Sequence, residues 1–131
     1  MENITNTAAE ILLLAFMVIT FLQSGIDKLV DWQGNLGWLK GHFEKSPLKN
    51  RVPLLLATVL FVEMAAGILC LVGLFQLLVS GKTEIALYGA ITSCIALLML
   101  LFGQRMAKDY AGAMTIAVYF IPAVFLVFLL Q

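Results

Sequence analysis

Four apolar stretches of about 20 residues each dominate this chain of 131 residues, at approximately 8–30, 53–78, 84–102 and 111–130. A helix of that length crosses the roughly 30 Å of hydrocarbon in a lipid bilayer. Because 62% of the residues are hydrophobic and only 12% are charged, the composition excludes both a soluble domain and a disordered chain. The sequence therefore predicts an all-α fold, a four-helix antiparallel transmembrane bundle in which residues 1–131 form a single integral membrane domain.

The basic residues lie mainly in two of the connections between these stretches. Seven belong to the regions of the first and third connections and one to the second: Lys28, Lys40, Lys45, Lys49, Arg51, Arg105 and Lys108 against Lys82. Because short cytoplasmic loops are enriched in Lys and Arg, this asymmetry predicts that both termini lie on the periplasmic or equivalent side. Residues 1–10 carry two acidic and no basic residues, the reverse of a signal peptide, so we expect the first stretch to remain as a membrane helix.

The first connection, residues 31–51, has a pattern of its own. Four apolar residues recur at helical spacing and three polar residues fall to one side: Trp32, Leu36, Leu39 and Phe43 against Gln33, Lys40 and Glu44. This pattern predicts a short amphipathic helix in the headgroup plane, ended by Ser46-Pro47. Two roles stay open for it: a membrane-surface connector, or a lid or docking site for a partner. His42, the only histidine, has no second His or Cys nearby, so no metal site is predicted.

Glu63 lies near the middle of the second apolar stretch. A carboxylate at that depth is costly, so we expect it to face a partner, water or a ligand rather than lipid. At about 1.5 Å per residue, Tyr119 and Ser93 reach a similar level from the fourth and third helices. Three roles remain open for Glu63: locking helices together as a paired or protonated group, binding the polar head of a lipid-like molecule, or relaying a proton.

The first helix carries most of its polar residues near its C-terminal end. Of these, Gln23 and Lys28 are the candidates for contact with Glu63 in the middle layer of the membrane. Counted from the membrane boundary, Lys28 lies roughly 10 Å from the level of Glu63, so a direct pair is not assured. Gln23 matches the depth of Glu63 better. Lys28 would contact Glu63 through a water molecule or by extending its side chain toward the middle of the membrane.

Charged residues at the helix ends predict ion pairs that tie the bundle together. Arg105 is expected to pair with Asp27 or Asp109. Cys70 and Cys94 fall within the second and third stretches, where buried free thiols are expected and a disulfide or redox pair is the alternative.

Small residues form a helical stripe on each of the two middle stretches. The stripe on the second stretch leads away from the carboxylate, and the third stretch has a similar one: Glu63, Ala66, Gly67, Cys70 and Gly73, then Gly89, Ser93, Ala96 and Gly103. Such stripes allow close approach of helix backbones, either inside the bundle or between two copies of the chain.

Four segments resemble the DoxX-like family of small four-helix membrane proteins: FLQSGIDKL at 21–29, VEMAAGILCLVG at 62–73, DWQGNLGWLKGHFEKSPL at 31–48 and GQRMAKDYAGA at 103–113. The last two are similar to one of its bacterial branches. The resemblance implies a multi-pass protein of the bacterial inner membrane. Members of the family include a small subunit of a terminal quinol oxidase and of a thiosulfate:quinone oxidoreductase.

The resemblance implies a function as an accessory subunit of a quinone-linked membrane redox assembly, which contacts quinone or partner subunits through the layer around Glu63. The alternatives are a stand-alone binder or transporter of a small amphipathic molecule and a structural scaffold subunit. The sequence predicts no catalytic residue. With one histidine, no CxxCH and no dinucleotide or P-loop glycine pattern, we expect no cofactor held by this chain alone. The expected partners are the lipid bilayer and a membrane protein or a second copy, with no nucleic acid.

Overall fold

The computed structural model describes residues 6–131 and places five α-helices in them. They are α1 (Ala8–Val30), α2 (Trp32–His42), α3 (Val52–Ser80), α4 (Glu84–Met106) and α5 (Tyr110–Leu130), with a 3-10 turn at Lys49–Arg51 before α3. All of these except α2 are long and apolar enough to cross a membrane. The predicted all-α bundle of four transmembrane helices is therefore confirmed. The expectation about a signal peptide falls partly on residues 1–5, which lie outside the described residues.

Local chemistry explains where the long helices begin and end. Gly81 adopts a left-handed conformation with φ of 75° and donates its backbone N–H to Leu77, which ends α3. Pro53 lies in the first turn of α3, where its missing N–H costs little. The side chain of Asp109 accepts a hydrogen bond of 2.9 Å from the backbone N–H of Gly112 and so caps α5. Short turns therefore connect α3 to α4 and α4 to α5, which makes neighbouring helices antiparallel.

Glycines bring α1 and α3 into close contact and set their register. A Cβ at Gly67 would lie 2.7 Å from the side chain of Leu22, and a Cβ at Gly25 would overlap the side chain of Met64. These two contacts lie three residues apart on each helix and run in opposite directions. The two helices therefore pack in a defined antiparallel register.

The same small-residue packing joins α3 to α4 near the turn between them. A Cβ at Gly89 would lie 2.8 Å from the backbone nitrogen of Cys70, and one at Gly73 would overlap the backbone of Ala86. The whole predicted stripe on α3 is buried, and so are its counterparts on α4 except the half-buried Gly103. The expected close approach of the two backbones is confirmed inside the bundle.

The α1–α3 register leaves the beginning of α3 without a partner on α1. Continued from Gly25 opposite Met64, the register places Val30, the last residue of α1, opposite Val59. Because α3 starts at Val52, its first two turns extend past α1, by about 10 Å at 1.5 Å per residue. Helix α2 occupies part of the space beside these two turns. We call this end of the bundle the α2 side.

The predicted amphipathic helix after α1 is present as α2. Leu36 and Leu39 are half-buried and Phe43, which follows the helix, is buried, whereas Lys40 and Glu44 are exposed. Asp31 caps the helix by accepting a hydrogen bond of 3.2 Å from the backbone N–H of Gly34. The apolar side of α2 thus faces the bundle and its polar side faces outward.

Candidate ligand-binding cavity and buried ion pair

Lys28 and Glu63 form an ion pair inside the bundle. The Lys28 Nζ to Glu63 Oε1 distance is 2.8 Å, and the exposed fraction of the side chain is 17% for Lys28 and 3% for Glu63. Glu63 therefore faces another helix rather than lipid. The direct contact between Lys28 and Glu63, which the sequence did not decide, is therefore present in the structure.

The register explains why depth counting separated the two residues. The count assumed that α1 and α3 meet the membrane boundary at the same level, whereas α3 extends about two turns beyond the end of α1. Three residues beyond Gly25, Lys28 comes opposite Phe61, only two residues from Glu63. Side chains on a helix lean toward its N-terminus. Since α1 and α3 are antiparallel, the side chains of Lys28 and Glu63 lean toward each other.

The carboxylate of Glu63 is poorly supplied with hydrogen-bond donors. Oε1 accepts no hydrogen bond of regular geometry among residues 6–131, so its contact with Lys28 is an ion pair rather than a directed hydrogen bond. Lys28 also donates a hydrogen bond of 2.6 Å to Ser24 Oγ. A carboxylate offers about four acceptor positions. Among residues 6–131, the Lys28 ammonium is therefore the group that balances the buried carboxylate of Glu63.

A cavity of about 570 Å³ lies beside this pair, on the α2 side of the bundle. Its walls come from the end of α1, from α2, from the first turns of α3, from the second half of α4 and from Ile116 of α5. Most of the lining residues are apolar, and the polar ones are few: Lys28, Asn35, His42, Thr58 and Gln104. This volume and this composition are typical of sites for small amphipathic molecules.

The cavity occupies the space that the helix register creates. Its α3 wall starts at Val52 and includes Leu55, in the two turns that project past α1, and it ends at Val59, opposite the last residue of α1. Several residues at its edge are also exposed on the outer surface of the bundle, among them Thr58, Leu98 and Phe102. The cavity therefore opens sideways, toward the region that lipid tails would occupy.

His42 forms a second polar group at the α2 end of the cavity. Its Nε2 lies 2.8 Å from Gln104 Oε1 and 3.6 Å from Asp109 Oδ2. Its ring also stacks on Trp38, with the two ring centroids 4.6 Å apart. These contacts tie α2 to α4 and to the start of α5. Sequence reasoning tested His42 only as a metal ligand, although its spacing of four residues from Trp38 placed both rings on one helix face.

Two residues expected in the Glu63 layer lie elsewhere. Gln23 is exposed on α1, so the preference for it over Lys28 was wrong. Tyr119 is 37% exposed on α5, and its ring lies 6.1 Å from that of Phe16. Both expectations rested on depth alone, and depth does not determine which face of a helix a residue occupies.

Ser93 is buried, but it belongs to a different level of the core. Its hydroxyl donates a hydrogen bond of 2.8 Å to the carbonyl of Gly89 and lies 3.6 Å from Cys70 Sγ. Because a helical side chain leans toward the N-terminus of its helix, Ser93 points away from the α2 side. Cys70 and Cys94 are both free thiols, and of the two only Cys70 is buried as expected, because Cys94 is half-buried.

The predicted ion pairs of Arg105 are absent among residues 6–131. The Arg105 guanidinium lies 5.2 Å from the centroid of the Tyr110 ring, a cation–π contact. Asp109 uses one oxygen to cap α5 and directs the other toward His42. Asp27 is exposed. The helix cap and the histidine thus take the positions around Asp109 that Arg105 was expected to occupy.

Neither a protein-family model nor a curated protein nor a solved structure matches this chain.

Proposed function

We propose that this protein binds a small amphipathic molecule inside the membrane, with the molecule's apolar part in the cavity and its polar head near Lys28 or His42. The observation that carries this proposal is the cavity itself, which is apolar, of ligand size and supplied with a few convergent polar groups. Its sideways opening suits a molecule that arrives from the bilayer rather than from water.

A cavity-filling variant tests this proposal against a matched control on the same helix. Val59 lines the cavity, whereas Val72 is exposed on the outer face of α3. We expect Val59→Trp to displace the bound molecule and Val72→Trp to leave it in place. Native mass spectrometry of gently purified protein measures the occupancy. Equal occupancy in the wild-type protein and both variants, or none in any of them, would contradict the proposal.

The second candidate function is an accessory subunit of a quinone-linked redox assembly. Its support is the resemblance to the DoxX-like family, together with Gln104 in the cavity wall, whose side-chain amide N–H groups suit the carbonyl oxygens of a quinone. In this role a partner protein carries the redox cofactor, because the sequence has one histidine and no CxxCH motif with which to hold haem. Co-purification with a cofactor-bearing membrane protein would support this role. An isolated chain with a bound ligand and no partner favours the stand-alone binder.

We also propose that the α2 side faces the cytoplasm of a bacterial cell and that both termini face the periplasm. The support is the excess of Lys and Arg in the connections on the α2 side. A reporter fused to the C-terminus, fluorescent only in the cytoplasm, should stay dark. Fluorescence from this fusion would reverse the orientation.

A further inference from the structure

Lys28 takes part in two features of the structure at once. Its ammonium pairs with the buried carboxylate of Glu63, and its side chain forms part of the cavity wall. A lysine ammonium has three N–H donors, and one of them is used by Ser24. The head of a molecule in the cavity can therefore approach the same cation that balances Glu63.

We infer that the cavity takes a single-chain amphiphile whose head carries one negative charge, as a fatty-acid carboxylate does, and that its binding is coupled to the uptake of one proton by Glu63. The inference rests on the proposed binding function and names the ligand class. In this exchange the Lys28 ammonium moves from Glu63 to the head of the ligand, and a proton from water neutralises the Glu63 carboxylate.

The charge balance of the site explains the coupling. Before binding, one ammonium balances one carboxylate; afterwards, the same ammonium balances the ligand anion and Glu63 is neutral. If Glu63 stayed ionised, two anions would share one cation inside an apolar bundle, which is strongly unfavourable. The absence of a regular hydrogen bond to Oε1 in the described structure means that Glu63 loses only the ion pair when Lys28 moves away.

Other titratable groups around the cavity are few, and each has its own partner or position. His42 on α2 contacts Gln104 and Asp109, and Asp109 caps α5. On α4, Arg105 lies over Tyr110, and Cys94 is half-buried on the same helix. Within residues 6–131, the only cation in ion-pair contact with Glu63 is Lys28.

The test uses Trp38 as a reporter inside the cavity wall. The chain has two tryptophans, so Trp32→Phe leaves Trp38 alone. The protein is placed in phosphatidylcholine nanodiscs and titrated with terminally brominated decanesulfonate, which quenches tryptophan at short range, and with the matched brominated decanol. Because a sulfonate stays ionised, any pH dependence of saturable quenching belongs to the protein.

We expect the sulfonate affinity to rise as the pH falls, by up to about tenfold for each pH unit, which is the limiting slope for uptake of one proton. The decanol affinity should not change. In Glu63→Gln the sulfonate should still bind but the pH dependence should disappear. In Lys28→Met the sulfonate affinity should fall at least about tenfold, the loss of a charge-assisted hydrogen bond, and the decanol affinity should fall much less.

Three results would overturn the inference while the proposed binding function stands: equal affinity for sulfonate and alcohol, no pH dependence in the wild-type protein, or a pH dependence that survives in Glu63→Gln. In the last case His42→Gln identifies the other titrating group. If neither probe gives saturable quenching, the proposed function itself fails. Should a single variant not fold, the double variant Lys28→Met/Glu63→Met replaces it, and it should bind decanol without preferring the sulfonate.

Discussion

The ammonium of Lys28 lies 2.8 Å from Oε1 of Glu63, across the interface between α1 and α3. Two glycines make this contact possible. Gly25 packs against Met64 and Gly67 packs against Leu22. These contacts bring the two helices together in a register that places Lys28 within two residues of the level of Glu63. The same register places Val30, the end of α1, opposite Val59 and leaves room for the cavity at the α2 side. The ion pair and the cavity thus have a common structural origin.

The first prediction concerns the stability of this pair. Removing one charge from a buried pair leaves the other unbalanced, so Lys28→Met should lower the free energy of unfolding by about 3 kcal/mol or more. Lys28→Met/Glu63→Met removes both charges and should recover most of that loss. Thermal unfolding in mild detergent, followed by tryptophan fluorescence, measures both variants. If the double variant were no more stable than Lys28→Met, the loss in Lys28→Met would not come from the unbalanced Glu63 carboxylate.

The second prediction concerns the close approach of α3 and α4. A methyl group at Gly89 would press on the backbone of Cys70, which has little freedom to move, so Gly89→Ala should destabilise the protein by about 1–3 kcal/mol. Gly37 on α2 is the matched control, because a Cβ there meets no atom within 4 Å. Gly37→Ala should be neutral or stabilise α2 by about 0.5–1 kcal/mol, since Ala favours a helix. The midpoint of thermal unfolding should therefore be lower for Gly89→Ala than for Gly37→Ala. The reverse order would contradict the close packing of α3 against α4 at Gly89.

The third prediction concerns the attachment of α2. The His42–Gln104 contact ties the end of α2 to α4, so His42→Ala should loosen α2 while leaving the four long helices intact. Hydrogen–deuterium exchange in Trp32–His42 should become faster by a factor of about 5, the equivalent of about 1 kcal/mol for one hydrogen bond. Lys40→Ala, a change at an exposed position of the same helix, is the control. Unchanged exchange in His42→Ala would mean that α2 is held by its apolar side alone.

The fourth prediction concerns the two thiols. Cys70 is fully buried against Ser93, whereas Cys94 is half-buried. A small, membrane-permeant maleimide should therefore label Cys94 much faster than Cys70 in the folded protein. Mass spectrometry of the labelled chain identifies the site, and Cys94→Ser should remove the fast phase. Fast labelling of Cys70 would contradict the packing of α3 against α4.

Local sequence patterns determined the fold class of this protein. The four apolar stretches and the amphipathic spacing in residues 31–51 each depend on residues that are close along the chain, and sequence periodicity reports such residues directly. The burial of Glu63 also followed from its position in an apolar stretch, because a carboxylate is costly in lipid.

Only the tertiary structure decided which polar side chains meet. Counting depth along each helix favoured Gln23 and Tyr119 for two reasons. The count gave no information on which face of a helix a residue occupies, and it assumed that all helices meet the membrane boundary at the same level. The actual levels follow from glycine contacts between α1 and α3, and the face of each residue follows from how the helices pack. Register and rotation are properties of a pair of helices, so the local sequence pattern of one helix does not contain them. For this reason the Lys28–Glu63 pair and the cavity beside it are evident only from the tertiary structure.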